Sequence, residues 1–93
     1  MQIIIRETFS GFANVPNGYA VSDRTEPIPS AKDDGTGVDL LVTLPDGFTV
    51  AQSNCRDRLV YDPHGSYCDI VRDPKGRLAL MSAYESVVIG DAP

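Results

Sequence analysis

The chain has 93 residues, of which 42% are hydrophobic and 23% are charged, and its formal charge is −5. This composition is typical of one small folded domain and argues against a disordered chain. The sequence lacks an apolar run of the roughly 18–20 residues that a membrane helix needs, and its surplus of acidic residues argues against direct binding to nucleic acid.

The first residues, Met1–Glu7, contain no basic stretch and no small-residue cleavage site. We therefore expect no secretory signal and a cytoplasmic protein with a single domain over residues 1–93. Within this segment, Ile3-Ile4-Ile5 predicts a strand near residues 1–8 that is buried on both faces or central in a sheet.

A predicted strand at 18–23 is followed by residues 24–37, where prolines and glycines indicate a long loop. Acidic residues concentrate in and around this loop: Asp23, Glu26, Asp33, Asp34, Asp39 and Asp46. We interpret them as a surface that binds another protein with a basic surface. The alternative is a solvated surface that keeps the protein soluble.

The pattern Pro-x-Gly occurs four times, at residues 16–18, 45–47, 63–65 and 74–76. Proline favours the second position of a tight turn, and glycine supplies the left-handed residue that closes a three-residue hairpin loop. Each copy therefore predicts a turn between two antiparallel strands.

Strands are predicted around these turns near 38–44, 48–52, 58–62, 66–72 and 77–82. The turns also predict cross-strand pairs: Leu44 with Phe48, Thr43 with Thr49, Val42 with Val50, Tyr61 with Tyr67, Val60 with Cys68, Asp73 with Arg77 and Ile70 with Leu80. Segment 83–89 is ambiguous between strand and helix, and its Val-Val-Ile favours strand. The fold class is all-β, or β-dominated α+β, with a meander of hairpins forming a small barrel or sandwich.

The residues that could carry chemistry are few. His64 lies at the tip of a predicted turn, where we expect an exposed side chain rather than a general base. Cys55 and Cys68 are predicted to be reduced thiols, because the hairpin register separates them by roughly 16 Å. Their spacing with His64 matches no zinc motif, and residues 33–39 lack the ligand frame of a calcium loop. We therefore predict no catalytic residues, no metal site and no cofactor.

These observations favour a small acidic protein-binding module over an enzyme. One specific hypothesis is an inhibitor made by a phage or mobile element against a host nucleic-acid-handling complex of the CRISPR type, with the acidic residues competing for a basic groove. A second hypothesis is a self-assembling subunit, such as a homodimer or part of a phage particle, in which Val87-Val88-Ile89 forms an edge. A third is a small metal protein or enzyme that uses Cys55, His64 and Cys68.

Overall fold

The computed structural model describes residues 1–9, 16–23, 37–52 and 58–90, which contain eight β-strands and no helix long and apolar enough to cross a membrane. The strands are β1 (Gln2–Phe9), β2 (Pro16–Ser22), β3 (Val38–Thr43), β4 (Thr49–Gln52), β5 (Arg58–Tyr61), β6 (Tyr67–Arg72), β7 (Leu78–Met81) and β8 (Ser86–Gly90). The prediction of an all-β fold is confirmed, and the ambiguous segment 83–89 forms a turn and most of β8.

The strands form two antiparallel sheets. The three-strand sheet has the order β2-β1-β3, and the five-strand sheet has the order β4-β5-β6-β7-β8 and curls into a half-barrel. β2 lies beside β5 and β3 lies beside β8, so the inner faces of the two sheets meet. The five-strand sheet is a meander, as expected, whereas in the three-strand sheet the first strand of the chain is central.

The core lies between these inner faces. Side chains of both sheets contribute to it: Ile3, Ile5, Val21, Val42, Leu44, Phe48, Val60, Cys68, Leu78 and Leu80. Each such apolar side chain contributes about 1.5–3 kcal/mol when it is removed from water. β1 is the central strand of its sheet, which confirms the central-strand interpretation, whereas the half-buried Ile4 between buried Ile3 and Ile5 shows that the segment is not fully buried on both faces.

Two of the predicted hairpin turns are confirmed, at Pro63–Gly65 and Pro74–Gly76. Gly65 and Gly76 have φ values of +86° and +81°, which only glycine adopts readily. In each turn the aspartate before the proline accepts backbone N–H groups. Asp62 Oδ1 accepts from residues 64 and 66, and Asp73 Oδ1 accepts from residues 75 and 77, at 2.8–2.9 Å.

These turns set the register of the five-strand sheet. The predicted partners Tyr61 and Tyr67, Val60 and Cys68, and Ile70 and Leu80 all face each other. Asp73 and Arg77 also face each other across their turn, where the Asp73 N–H donates to the Arg77 carbonyl at 2.9 Å and Arg77 Nε donates to Asp73 Oδ2 at 2.7 Å.

The predicted hairpin around Pro45-Asp46-Gly47 is wrong. β3 pairs with β1, and β4 pairs with β5, so the proposed pairs of residues 42–44 with 48–50 do not form. The Phe48 N–H donates to the Pro45 carbonyl, so Pro45 begins the turn instead of taking its second position. Leu44, which precedes the proline, has no carboxylate to bond the turn, and the chain instead crosses here from one sheet to the other.

The predicted turn at Pro16-Asn17-Gly18 is also wrong, because these residues begin β2. Phe9 faces Pro16 while Thr8 faces Gly18, and this shift in register leaves Asn17 as an extra residue on β2. Proline is accepted here because it is the first residue of an edge strand, where a missing N–H is tolerated.

The five-strand sheet is split between β5 and β6. These strands pair only at Val60–Cys68 and Tyr61–Tyr67, while Arg58 and Leu59 pair with β4 on their other side. An open groove of ≈ 250 Å³, with Tyr19 at the β2 side, lies next to this split.

A buried ion pair connects the two sheets. Arg72 of β6 donates from Nε and Nη2 to both carboxylate oxygens of Glu7 of β1, at 2.9 and 3.1 Å. The hydroxyl of Tyr19 of β2 donates to Glu7 Oε2 at 2.8 Å, and Arg72 Nη1 donates to the Gly76 carbonyl at 2.9 Å. The group therefore joins three strands and one turn, and the side chains of Glu7 and Arg72 are only 4% and 19% exposed.

The protonation of this group follows from its contacts. Burial raises the pKa of Glu7, but the hydrogen bonds from Arg72 and Tyr19 and the charge of Arg72 outweigh it, so the net pKa lies below the ordinary value of 4.5. Burial, together with the hydrogen bond to the negative Glu7, raises the pKa of Tyr19 to about 12. At neutral pH the group therefore consists of a carboxylate, a guanidinium and a neutral phenol.

The turn geometry predicts the cost of replacing Gly65. Gly65→Ala lowers the free energy of unfolding by about 1 kcal/mol, because its positive φ strains an L-residue, whereas no heavy atom lies within 4 Å of the added Cβ. Gly65→Asn lowers it less, because asparagine tolerates the left-handed region. Urea unfolding measures both variants, and equal losses would contradict backbone strain as the cause.

The ion pair predicts a pH dependence of stability. Because folding lowers the pKa of Glu7, its contribution is present above the carboxyl's unfolded pKa and is lost as the pH falls through the folded value. Glu7→Gln therefore lowers the free energy of unfolding by about 2 kcal/mol near pH 7, and the difference from the wild type shrinks towards about pH 3. Denaturation curves over this range test the prediction, and a difference that does not change with pH would refute it.

Candidate functional site: the outer sheet face and a histidine cluster

The outer face of the five-strand sheet is mostly apolar, with Thr49, Asp69 and Ser86 as its polar residues. Successive side chains of a strand point to opposite faces of the sheet. The neighbours of each inner core residue along its strand therefore point outward. The outer side carries these apolar residues, of which Ala79 is itself buried: Ala51, Leu59, Tyr61, Tyr67, Val71, Ala79, Met81 and Val88. We call this set, together with the three polar residues, the outer face.

Several side chains of the outer face are open to solvent. Tyr67 is 57%, Met81 48% and Val88 44% exposed. Asp69 lies on β6, the middle strand of the sheet, between Tyr67 and Val71, and it is the one charged outward-facing residue among the described residues of β4–β8. The outer face thus combines aromatic and aliphatic side chains with a carboxylate near its centre.

The solvent side of the three-strand sheet differs. There Arg6 of β1 and Asp39 of β3 form two hydrogen bonds, at 2.7 and 3.1 Å, beside the 56% exposed Leu41. The hydrogen bonds and the charge of Arg6 outweigh a small effect of burial and lower the pKa of Asp39. The solvent side of the three-strand sheet therefore carries an ion pair whose two charges compensate each other. The outer face of the five-strand sheet is instead mostly apolar.

The acidic residues proposed to bind a partner do not all fall within the described part of the chain. Asp39 pairs with Arg6, the Asp23 carboxylate lies 3.7 Å from Arg58 Nη1, and Asp46 is exposed in the turn after β3. Glu26, Asp33 and Asp34 lie outside the described residues. The acidic binding surface therefore stays a prediction.

A second group of polar residues surrounds His64. The Nδ1 atom of His64 lies 3.8 Å from Asp62 Oδ2 and 4.0 Å from Glu85 Oε2. The imidazole stacks on the ring of Tyr84, with centroids 4.5 Å apart and planes inclined by 19°. The turn between β5 and β6 and the turn between β7 and β8 thus meet at this histidine cluster, defined as Asp62, His64, Tyr84 and Glu85.

Asp62 is the fixed member of the histidine cluster. Its side chain is fully buried, its Oδ1 binds two backbone N–H groups of its own turn, and its Oδ2 accepts a 2.6 Å hydrogen bond from the Ser82 hydroxyl. Burial raises the pKa of Asp62, but these hydrogen bonds and the nearby His64 outweigh it and lower the net pKa. The carboxyl is therefore ionised at neutral pH.

The Ser82 hydroxyl extends this connection to the second turn. It accepts the backbone N–H groups of Tyr84 and Glu85 at 3.1 and 3.2 Å, and the Ser82 N–H donates to the Glu85 carbonyl at 2.9 Å. One hydroxyl therefore orients the turn that presents Glu85 towards His64.

Cys68 has a free thiol and is buried. Burial, followed by the surrounding carboxylates of Asp62, Glu85 and Asp69, raises its pKa, so the thiol is neutral and a poor nucleophile. This agrees with its interpretation as a small core residue. Cys55 lies outside the described residues.

The sequence identified only part of this arrangement. It predicted correctly that His64 is exposed at a turn, and the side chain is 56% exposed. It missed Tyr84 and Glu85, which are distant in sequence and come close only because β6 and β7 bring the two turns to the same end of the sheet. The order Ser82-Ala83-Tyr84-Glu85 between two strands was the available signal, since serine often bonds the backbone of a turn.

Comparisons with known proteins do not assign a function. No protein-family model matches the chain, and neither curated proteins nor solved structures gave a significant match.

The contacts of Ser82 predict a loss of stability when its hydroxyl is removed. Ser82→Ala removes the hydrogen bond to the buried Oδ2 atom of Asp62 and the acceptor of the Tyr84 and Glu85 N–H groups, which lowers the melting temperature by about 5–10 °C. The control is Ser86→Ala, at an exposed position of β8, which shifts it by less than about 3 °C. Calorimetry compares the variants, and similar shifts would show that Ser82 does not connect the two turns.

Proposed function

We propose that this protein is a non-catalytic binding module whose outer face binds another protein through an apolar surface with a basic side chain opposite Asp69. The observation that carries the proposal is the apolar character of the outer face. Antiparallel sheets that face water on one side usually alternate apolar inward and polar outward residues. Here the outward positions of β5, β6 and β7 are mostly aromatic or aliphatic.

The residue types of the outer face are those found in interfaces. Tyrosine and methionine are enriched in protein–protein contacts, because tyrosine combines apolar area with a polar hydroxyl and methionine adapts to the shape of its partner. Tyr67 and Met81 are both about half exposed. Together with Val88 they leave apolar area in water that a partner would remove.

The position of Asp69 favours a different protein over a second copy of this chain. Two copies packed face to face about a two-fold axis through the middle of the sheet would bring two Asp69 carboxylates together, and like charges in a desolvated contact are unfavourable. The formal charge of −5 on each copy adds to this repulsion. A basic partner is attracted both by the Asp69 carboxylate and by the net negative charge of the protein.

The acidic residues around positions 23–46 would also attract a partner with a basic surface. Long-range attraction between a protein of net negative charge and a basic surface accelerates association. The narrower hypothesis, an inhibitor of a host complex of the CRISPR type, rests on this charge alone and stays a prediction.

The proposal is tested by capturing partners from a lysate of the cells in which the protein occurs, using folded variants in parallel. The double variant Tyr67→Ser, Met81→Ser loses the partner, with at least about a tenfold loss of affinity for the purified protein. The matched control is Leu41→Ser, which removes an equally exposed apolar side chain from the other sheet and retains the partner. Equal recovery with both variants would refute the outer face as the contact.

Charge-reversal variants test whether the partner contacts Asp69 of the outer face or the acidic residues around positions 23–46. Asp69→Lys abolishes binding, whereas Asp46→Lys, in an exposed turn, leaves it within about threefold. The opposite pattern would place the contact at the acidic residues 23–46 instead of the outer face. If only the protein itself is recovered and it sediments as an oligomer, the self-assembling subunit replaces the proposal.

A further inference from the structure

We propose that Asp62, His64 and Glu85 form a binding site for one divalent transition-metal ion, with Zn²⁺ as the probe ion. The donor atoms of the three side chains all lie within 4.8 Å of one another. They come from two different turns, and the proposal is independent of partner binding at the outer face.

The distances are close to those of a site for a single ion. Zinc binds histidine nitrogen and carboxylate oxygen at about 2.0–2.2 Å in a tetrahedral arrangement, which places neighbouring donors about 3.3–3.6 Å apart. The distances from His64 Nδ1 to Asp62 Oδ2 and to Glu85 Oε2 are 3.8 and 4.0 Å, so a side-chain movement of about 0.5 Å brings the donors to this spacing. The Glu85 side chain is 35% exposed, so it can move the short distance that brings its carboxylate to the same ion as His64 and Asp62.

Two of the three ligands are already held in place. The buried Asp62 carboxylate is oriented by the Ser82 hydroxyl and by two backbone N–H groups. A carboxylate oxygen that accepts one hydrogen bond keeps a second lone pair for a metal, and hydrogen-bonded ligand carboxylates are usual in metal sites. The stacking of His64 on Tyr84 restricts rotation of the imidazole and keeps Nδ1 on the side of the carboxylates.

The donor set selects the class of ion. One imidazole with two carboxylates suits zinc, cobalt, nickel or copper, whereas magnesium and calcium prefer oxygen ligands alone. Three protein ligands leave at least one coordination position for water, and the 56% exposed His64 keeps that position accessible from solvent.

The test is calorimetric titration of the intact protein with zinc chloride near pH 7, with cysteines reduced. The wild type binds one ion per chain, and His64→Ala and Glu85→Gln each weaken binding at least about tenfold. Both substitutions change exposed side chains, so the fold is retained, and Asp62 is left unchanged because it supports its turn. The control Asp46→Asn removes an exposed carboxylate in the turn after β3 and binds zinc as the wild type does.

Cobalt(II) distinguishes this site from binding by the thiols. The cobalt complex shows the d–d absorption of nitrogen and oxygen ligands, without a thiolate-to-cobalt charge-transfer band, and Cys55→Ser leaves it unchanged. The proposal is overturned if zinc does not bind at millimolar concentration, if His64→Ala binds as the wild type does, or if a thiolate band appears. Loss of zinc binding in Asp46→Asn would also overturn it, because the ion would then be held by general surface charge.

Discussion

The contact between Glu7 and Arg72 is the polar interaction on which the arrangement of the two sheets depends. Apolar packing brings the sheets together, but it is not directional and fixes their relative position only loosely. The bidentate geometry of a guanidinium on a carboxylate requires a defined distance and orientation. Because both groups are largely buried, a shift of one sheet over the other would leave a charge unpaired in the interior, which is strongly unfavourable.

The rest of the architecture is organised around this pair. Arg72 also bonds the Gly76 carbonyl, and so it connects the sheet contact to the β6–β7 turn, whose register is set by Asp73. The opposite end of β6 leads into the Asp62 turn, where a second buried carboxylate connects two turns through Ser82. The ionised carboxylates of Glu7 and Asp62 therefore fix the two ends of the middle strand β6, and the apolar core lies between them.

The sequence predicted local structure better than the pairing of strands. The strands and the turns at Asp62 and Asp73 could be predicted, because the proline, the glycine and the aspartate carboxylate all act within five residues. The pairing of the strands around Pro45 could not, because β1 takes the place beside β3 over a long sequence separation. For the same reason the pairing of Glu7 with Arg72, 65 residues apart, has no signature in the sequence, and the sequence signal at residues 82–85 indicates a turn but not its contact with His64. The outer face was equally hidden, since its apolar residues become one surface only after five strands are aligned.

The split between β5 and β6 has a consequence for how the molecule fluctuates. Among the described residues, only two cross-strand pairs join the β4–β5 unit to the remainder of its sheet, and β4 has no partner strand on its outer side. Local opening requires less free energy where fewer contacts break, so this unit can separate while β1 and β7 keep their hydrogen bonds. We therefore expect amide hydrogens of β5 to exchange with solvent through local opening and those of β1 to exchange only when the whole domain unfolds, which amounts to two levels of cooperativity within a single small fold.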